Sequence, residues 1–145
     1  MAILKRALAL FAGGLVPLSF APYNLLIFGF IGLSIFAWLI LQPQNTKKIF
    51  LTALFFGFGL FAVGVSWVYV SIHVYGEAPA VLAVLMTFVF VLFLAFLFAL
   101  PWMLWKFVPA KPIAQVLCFA ALWLLVEWIR GWIFTGFPWL YIGQG

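Results

Sequence analysis

Charge is what this sequence has least of. Seven Lys and Arg and two acids among 145 residues make 6% charged, where a soluble domain carries about 25%. Nine ionisable side chains of this kind cannot cover a water-facing surface, which excludes an ordinary soluble domain. Cysteine occurs once, which excludes an intrachain disulfide, and Cys118 has no metal-ligand spacing around it. It lies in an apolar run and reads as a small hydrophobe. No glycine-rich phosphate loop, zinc spacing or paired carboxylate suited to hydrolysis is present. The residues alone therefore give no complete active site, no metal and no cofactor. The net charge of +5 resembles that of a nucleic-acid binder. Its basic residues, however, are few and sit in pairs between apolar runs, so membrane topology explains them better and no nucleic-acid partner is expected.

What remains is apolar. Hydrophobic residues make up 70% of the chain and aromatic ones 21%, with 19 Phe and 8 Trp. A helix needs about 20 apolar residues to cross the hydrocarbon core. Runs of that kind fall at about 7–21, 25–41, 49–70, 80–104 and 113–132, followed by an interfacial segment at 133–145. The fold class expected is all-α, a polytopic transmembrane helix bundle of about five spans forming one membrane domain, 1–145. The first run is short and broken by Gly13, Gly14 and Pro17. With Lys5 and Arg6 before it, a cleaved signal peptide is the rival reading. Pro22 after the best cleavage point, Ala21, disfavours cleavage, and a retained helix is the better reading. Asn24 marks a turn. The first two runs are short enough to be tilted, thinned or partly re-entrant. The tail, broken by Gly136, Pro138 and Gly143, belongs at the interface or against other helices, since irregular backbone cannot face lipid.

Five spans bring Lys5, Arg6, Lys47, Lys48, Lys106 and Lys111 to one side and leave Arg130 alone on the other. The positive-inside rule then makes the N-terminus cytoplasmic and the C-terminal end periplasmic.

Few residues offer chemistry. Glu127 and Arg130, three apart near the outer end of the last span, share a helix face. Ionisable groups at membrane depth pair or face a cavity. Two readings stand: a neutralised pair holding the helix end, or contact with a polar headgroup or partner domain. His73 and Glu77 are four apart, but Gly76 and Pro79 predict a loop there, which removes helical register and argues against a metal site. Ser66 and Ser71 have no identifiable base. Trp67, Tyr69 and Tyr75 read as an interfacial aromatic belt. Gly57, Gly59 and Gly64 read either as a close helix contact or as the glycine enrichment ordinary in membrane helices. A transporter needs polar groups at the midplane, and the last two runs offer only Thr87, Gln115 and Cys118. A small structural or transport-associated membrane protein is the alternative function.

Two stretches take the reading further: GVSWVYVSIHVYG at 64–76 and EWIRGWIFTGFPWLYIGQG at 127–145. With SFAPYN at 19–24 they resemble the amino-terminal membrane part of the bacterial apolipoprotein N-acyltransferase family, across the whole chain. The resemblance implies a multi-pass protein of the bacterial inner membrane. It implies transfer of an acyl chain from a phospholipid, typically phosphatidylethanolamine, to the N-terminal cysteine amine of a diacylglyceryl lipoprotein. It also implies that the chemistry runs through a thioester on a Glu–Lys–Cys nitrilase-type periplasmic domain. None of that triad maps here: Cys118 is mid-span, Glu127 is in a membrane helix, and Lys106 and Lys111 face the wrong side. No catalytic residue is therefore assigned, and the 145 residues read as a fragment, inactive alone, whose catalytic domain is expected to follow Gly145. The resemblance implies that Phe137, Pro138, Trp139 and Tyr141 lie beneath the catalytic domain near the route of the acyl chains; the other reading is that they only anchor the helix at the interface. Glu127, Arg130, Ser66 and Trp67 join them as candidate substrate- and lipid-binding residues.

Overall fold

The computed structural model describes residues 2–133 together with Gly136, Leu140 and Tyr141. The described residues are helices joined by turns: α1 (Ala2–Leu15), α2 (Leu26–Leu41), α3 (Thr46–Gly64), the short α4 (Trp67–Val70), α5 (Ala80–Trp102) and α6 (Pro112–Trp132). The all-helical expectation holds. Three helices are long and apolar enough to cross a membrane: α3, α5 with its 3-10 extension to Phe107, and α6. At 1.5 Å per residue, α1 and α2 reach only about 21 and 24 Å, short of a hydrocarbon core of about 30 Å. These are the two runs whose sequence already left a full crossing open.

Several boundaries differ from the sequence expectation. The first helix begins at Ala2, with Lys5 and Arg6 inside it, and stops at Leu15, where Val16–Ser19 tightens into a 3-10 turn around Pro17. Proline has no N–H to continue the ladder; the Phe20 N–H turns to the Pro17 carbonyl at 3.1 Å, and the Ser19 hydroxyl donates to the Val16 carbonyl at 2.7 Å. The run expected at 49–70 is two pieces. Helix α3 ends at Gly64, Val65 leaves helical geometry at φ −117°, ψ 21°, and α4 starts at Trp67. Ser66 Oγ donates to the Val63 carbonyl at 3.0 Å, a side-chain bond that competes with the main-chain ladder. His73, expected in a loop, sits in a single π-helical turn, Ser71–Tyr75. Its Nδ1 lies 2.8 Å from the Ala78 carbonyl, which folds the following bend back onto the turn. Lys106 lies in the 3-10 extension of α5, Met103–Phe107, just past Pro101, which stands in the last turn of the regular helix.

Packing rests on two devices. At the first, α1 crosses α3 through glycine. A methyl on Gly13 would stand 1.9 Å from the Phe56 carbonyl oxygen, and one on Gly59 would stand 2.0 Å from that of Leu10. The two backbones touch, as small residues allow in membrane helices, so the close-contact reading of Gly59 is the right one. The second device is aromatic. Phe36 of α2, fully buried, stacks on Phe56 of α3 at 4.1 Å between centroids and meets the edge of Trp102 of α5 at 4.8 Å. Phe119 and Trp123 of α6 lie 5.9 and 6.3 Å from the same ring. One side chain thus joins four helices, and offset and edge-on ring pairs add about 0.5–1.5 kcal/mol each beyond the area they bury. The outward faces stay apolar, with Phe30, Leu124 and Trp132 well exposed. That suits lipid and would be untenable in water.

The ring pairs also give direction. Phe50 meets Phe96 and Phe58 meets Phe88, so α5 runs antiparallel to α3 and its end lies where α3 begins. Lys5 Nζ donates to Gln42 Oε1, which ties the start of α1 to the end of α2. Lys5, Arg6, Lys47, Lys48, Lys106 and Lys111 therefore share one end of the bundle.

Candidate functional site

The other end carries the site. After the 3-10 turn, the chain from Phe20 to Leu25 folds over the top of the bundle. The Asn24 N–H donates to the Phe20 carbonyl at 3.0 Å and that of Leu25 to Leu18 at 2.9 Å. Asn24 has φ +53°, a left-handed conformation that asparagine tolerates better than most residues, and the turn expected there is present. This loop faces the end of α3 and the start of α4. Between them lies an outward-opening pocket of about 680 Å³, lined by Pro17, Phe20 and Tyr23 on one side, Ala62, Gly64, Ser66 and Trp67 on the other, and Leu140. Its walls are mainly apolar, the lining expected of a small-molecule site.

Ser66 and Trp67, two of the candidates from sequence, line this pocket. Leu140 and the stretch Phe20–Tyr23 line it as well and were not singled out as site residues. The second belongs to SFAPYN, whose resemblance to a family motif was the available signal. Phe137, Pro138 and Trp139 lie outside the described residues.

Glu127 and Arg130 are on α6, outside the pocket lining. Trp123 Nε1 donates to Glu127 Oε1 at 3.0 Å, one turn earlier on the same helix. Arg130 is only 5% exposed. Its guanidinium lies between two rings, 5.3 Å from the centroid of Phe61 and 5.2 Å from that of Tyr141. Nη2 donates a long bond, 3.4 Å, to the Leu140 carbonyl. Nε and Nη1 are buried with no hydrogen-bond partner among the described residues. A cation held between aromatic faces away from water is worth up to about 2 kcal/mol. The arginine thus links α6, α3 and the 140–141 segment.

Nucleophilic chemistry is not assembled here. Cys118 is half-buried on α6, twelve residues before Arg130. The described residues hold no group of three His, Cys, Asp or Glu side chains placed to share an ion. His73 stacks loosely on Tyr69 at 5.4 Å, and Glu77 follows with φ +52°.

Comparison with known proteins places the arrangement. Residues 12–145 match the family model of the apolipoprotein N-acyltransferase N-terminal domain. An apolipoprotein N-acyltransferase of Azotobacter vinelandii is 47% identical over 139 residues, 94% of this chain. The one from Pseudomonas syringae pv. tomato is 44% identical over the same length. The one from Vibrio cholerae is 38% identical over 143 residues. The chain spans about a quarter of the length of these relatives, 27–28%. A bundle of apolar helices with its pocket at one end, matched along nearly all its length, belongs to the apolipoprotein N-acyltransferase N-terminal domain family.

Proposed function

We propose that these residues form the membrane platform of an apolipoprotein N-acyltransferase in the bacterial inner membrane. The full enzyme takes an acyl chain from a phospholipid and passes it to the N-terminal cysteine amine of a diacylglyceryl lipoprotein. The observation that carries this reading is the family match over residues 12–145. The pocket supports it: it opens at the end of the bundle opposite the six clustered basic residues, and its mainly apolar walls suit an acyl chain. Ser66 and Trp67 line the pocket, and Tyr141 and Arg130 adjoin Leu140 of its wall. Glu127 extends the same face of α6, and Phe137, Pro138 and Trp139 complete the proposed lipid-contact set.

By its family resemblance, the acyl-transfer step runs through an activated thiolate. The one cysteine of these residues is on the lipid-spanning α6, and Lys106 and Lys111 stand at the opposite end of the bundle from Glu127. The 145 residues alone are therefore expected to be inactive. The test is a chimera. In cells depleted of the acyltransferase, the 145-residue chain should leave lipoproteins diacylated, as read by mass spectrometry. The same residues grafted in place of the matching part of the Azotobacter vinelandii enzyme should restore triacylation. A chimera that inserts normally and stays inactive sinks the platform reading. Rescue by the 145 residues alone sinks the assignment of the chemistry elsewhere.

A further inference from the structure

We propose that Arg130 is a positioning residue that acts through Leu140 to set the shape of the outer pocket. Leu140 holds two connections at once. Its carbonyl accepts from Arg130 Nη2, and its side chain forms part of the pocket wall. That side chain fits against Gly64, where an added methyl would stand 2.1 Å from Leu140 Cδ1. The end of α3 is thus bare of side chain at the one point where Leu140 lies on it.

The backbone of Leu140 is strained. Its φ is +60°, a left-handed conformation unfavourable to a branched, non-glycine residue. Such a geometry persists only where its surroundings over-determine it. Here the surroundings are the guanidinium on one side and the bare Gly64 on the other. Arg130 is fixed in turn by Phe61 of α3 and by Tyr141. The chain of contacts runs from Phe61 through Arg130 and the Leu140 backbone to the pocket wall. Arg130 itself does not line the pocket, so its influence there passes through Leu140. The inference concerns the shape of the pocket and stands whether or not the occupant is a phospholipid.

The test reads accessibility instead of acylation. A reporter cysteine is placed on the pocket wall at Ala62→Cys, in the full chain in bacterial membranes. It is labelled with a membrane-permeant maleimide, and the label at each position is quantified by mass spectrometry. Arg130→Gln and Gly64→Ala, made separately, should each raise labelling at position 62 about fivefold, the change expected when a contact of this size no longer biases a local equilibrium. Native Cys118, on α6 away from the pocket, is the internal reference and should not change. If Arg130→Gln is not recovered from membranes, Arg130→Lys takes its place, since it keeps the charge without the planar fork. Unchanged labelling at position 62 in the Arg130 variant overturns the proposal. So does a parallel rise at Cys118, which would mark general loosening of the bundle.

Discussion

Gly13 and Gly14 are neighbours on α1, and the structure gives them different duties. A methyl on Gly13 would fall 1.9 Å from the Phe56 carbonyl oxygen and 2.9 Å from the Leu60 nitrogen, both main-chain atoms that no rotamer change can move aside. A methyl on Gly14 would first meet Val63 Cγ2 at 3.5 Å, an ordinary contact. Gly13→Ala should therefore push α1 off α3 and lower stability by about 1–3 kcal/mol, the usual range for overpacking a tight interior. Gly14→Ala should be nearly silent. Thermal unfolding of the purified protein in detergent distinguishes them, and equal behaviour of the two variants would refute the crossing described here. The sequence shows both glycines as interruptions of an apolar run. It does not show which one faces another helix, because that depends on a crossing partner more than forty positions away.

At the scale of elements, helix starts and stops are set by single polar groups. Asn45 Oδ1 accepts from the Lys48 N–H at 3.0 Å and closes the first turn of α3. Asn45→Ala should cost about 1 kcal/mol, as loss of an N-cap does, while Asn45→Asp, which keeps the acceptor, should not. Comparing the two variants by thermal unfolding checks that the cap, and not the side-chain volume, is responsible. Each of the five apolar runs in the sequence overlaps a helix, and three of those helices are long and apolar enough to cross a membrane, the two requirements lipid imposes on a span. The breaks were harder. Within GVSWVYV only Ser66 and Tyr69 interrupt the apolar pattern, and membrane helices tolerate both, so the sequence does not mark the stop at Gly64. It arises from the Ser66 hydroxyl turning onto the Val63 carbonyl and from tertiary packing at Gly64. The candidate site divides the same way. Ser66 and Trp67 were found through a motif, whereas Leu140 became visible only once the carbonyl bound by Arg130 and the side chain lying on Gly64 were seen to belong to one residue.

For the whole molecule, the most consequential property is which end faces which compartment. The structure supplies a fact the sequence had to assume: the antiparallel pairing of α3 with α5 puts Lys106 and Lys111 at the same end as Lys47 and Lys48, and the Lys5–Gln42 bond brings the start of α1 there too. Six of the seven basic residues thus converge on one end, and the pocket opens at the other. Lys and Arg near span ends are retained on the cytoplasmic side, at a cost of about 2.5–3.5 kcal/mol for each such charge placed at mid-membrane. The bundle should therefore insert with the basic end inside and the pocket facing the periplasm. Single cysteines at Gln44→Cys, in the turn before α3, and at Glu77→Cys, after the π-helical turn, report the two ends. A membrane-impermeant maleimide applied to intact spheroplasts should label position 77 and spare position 44 until the membrane is opened. The reverse pattern would turn the pocket toward the cytoplasm and away from the lipoproteins it is proposed to serve. Labelling of both positions would mean that the short α1 and α2 do not hold the bundle across the bilayer in one orientation. Moving Lys47 and Lys48 together to Gln removes a third of the clustered charge. It should produce that mixed pattern in part, because orientation depends on the summed basic charge near the span ends and not on any one residue.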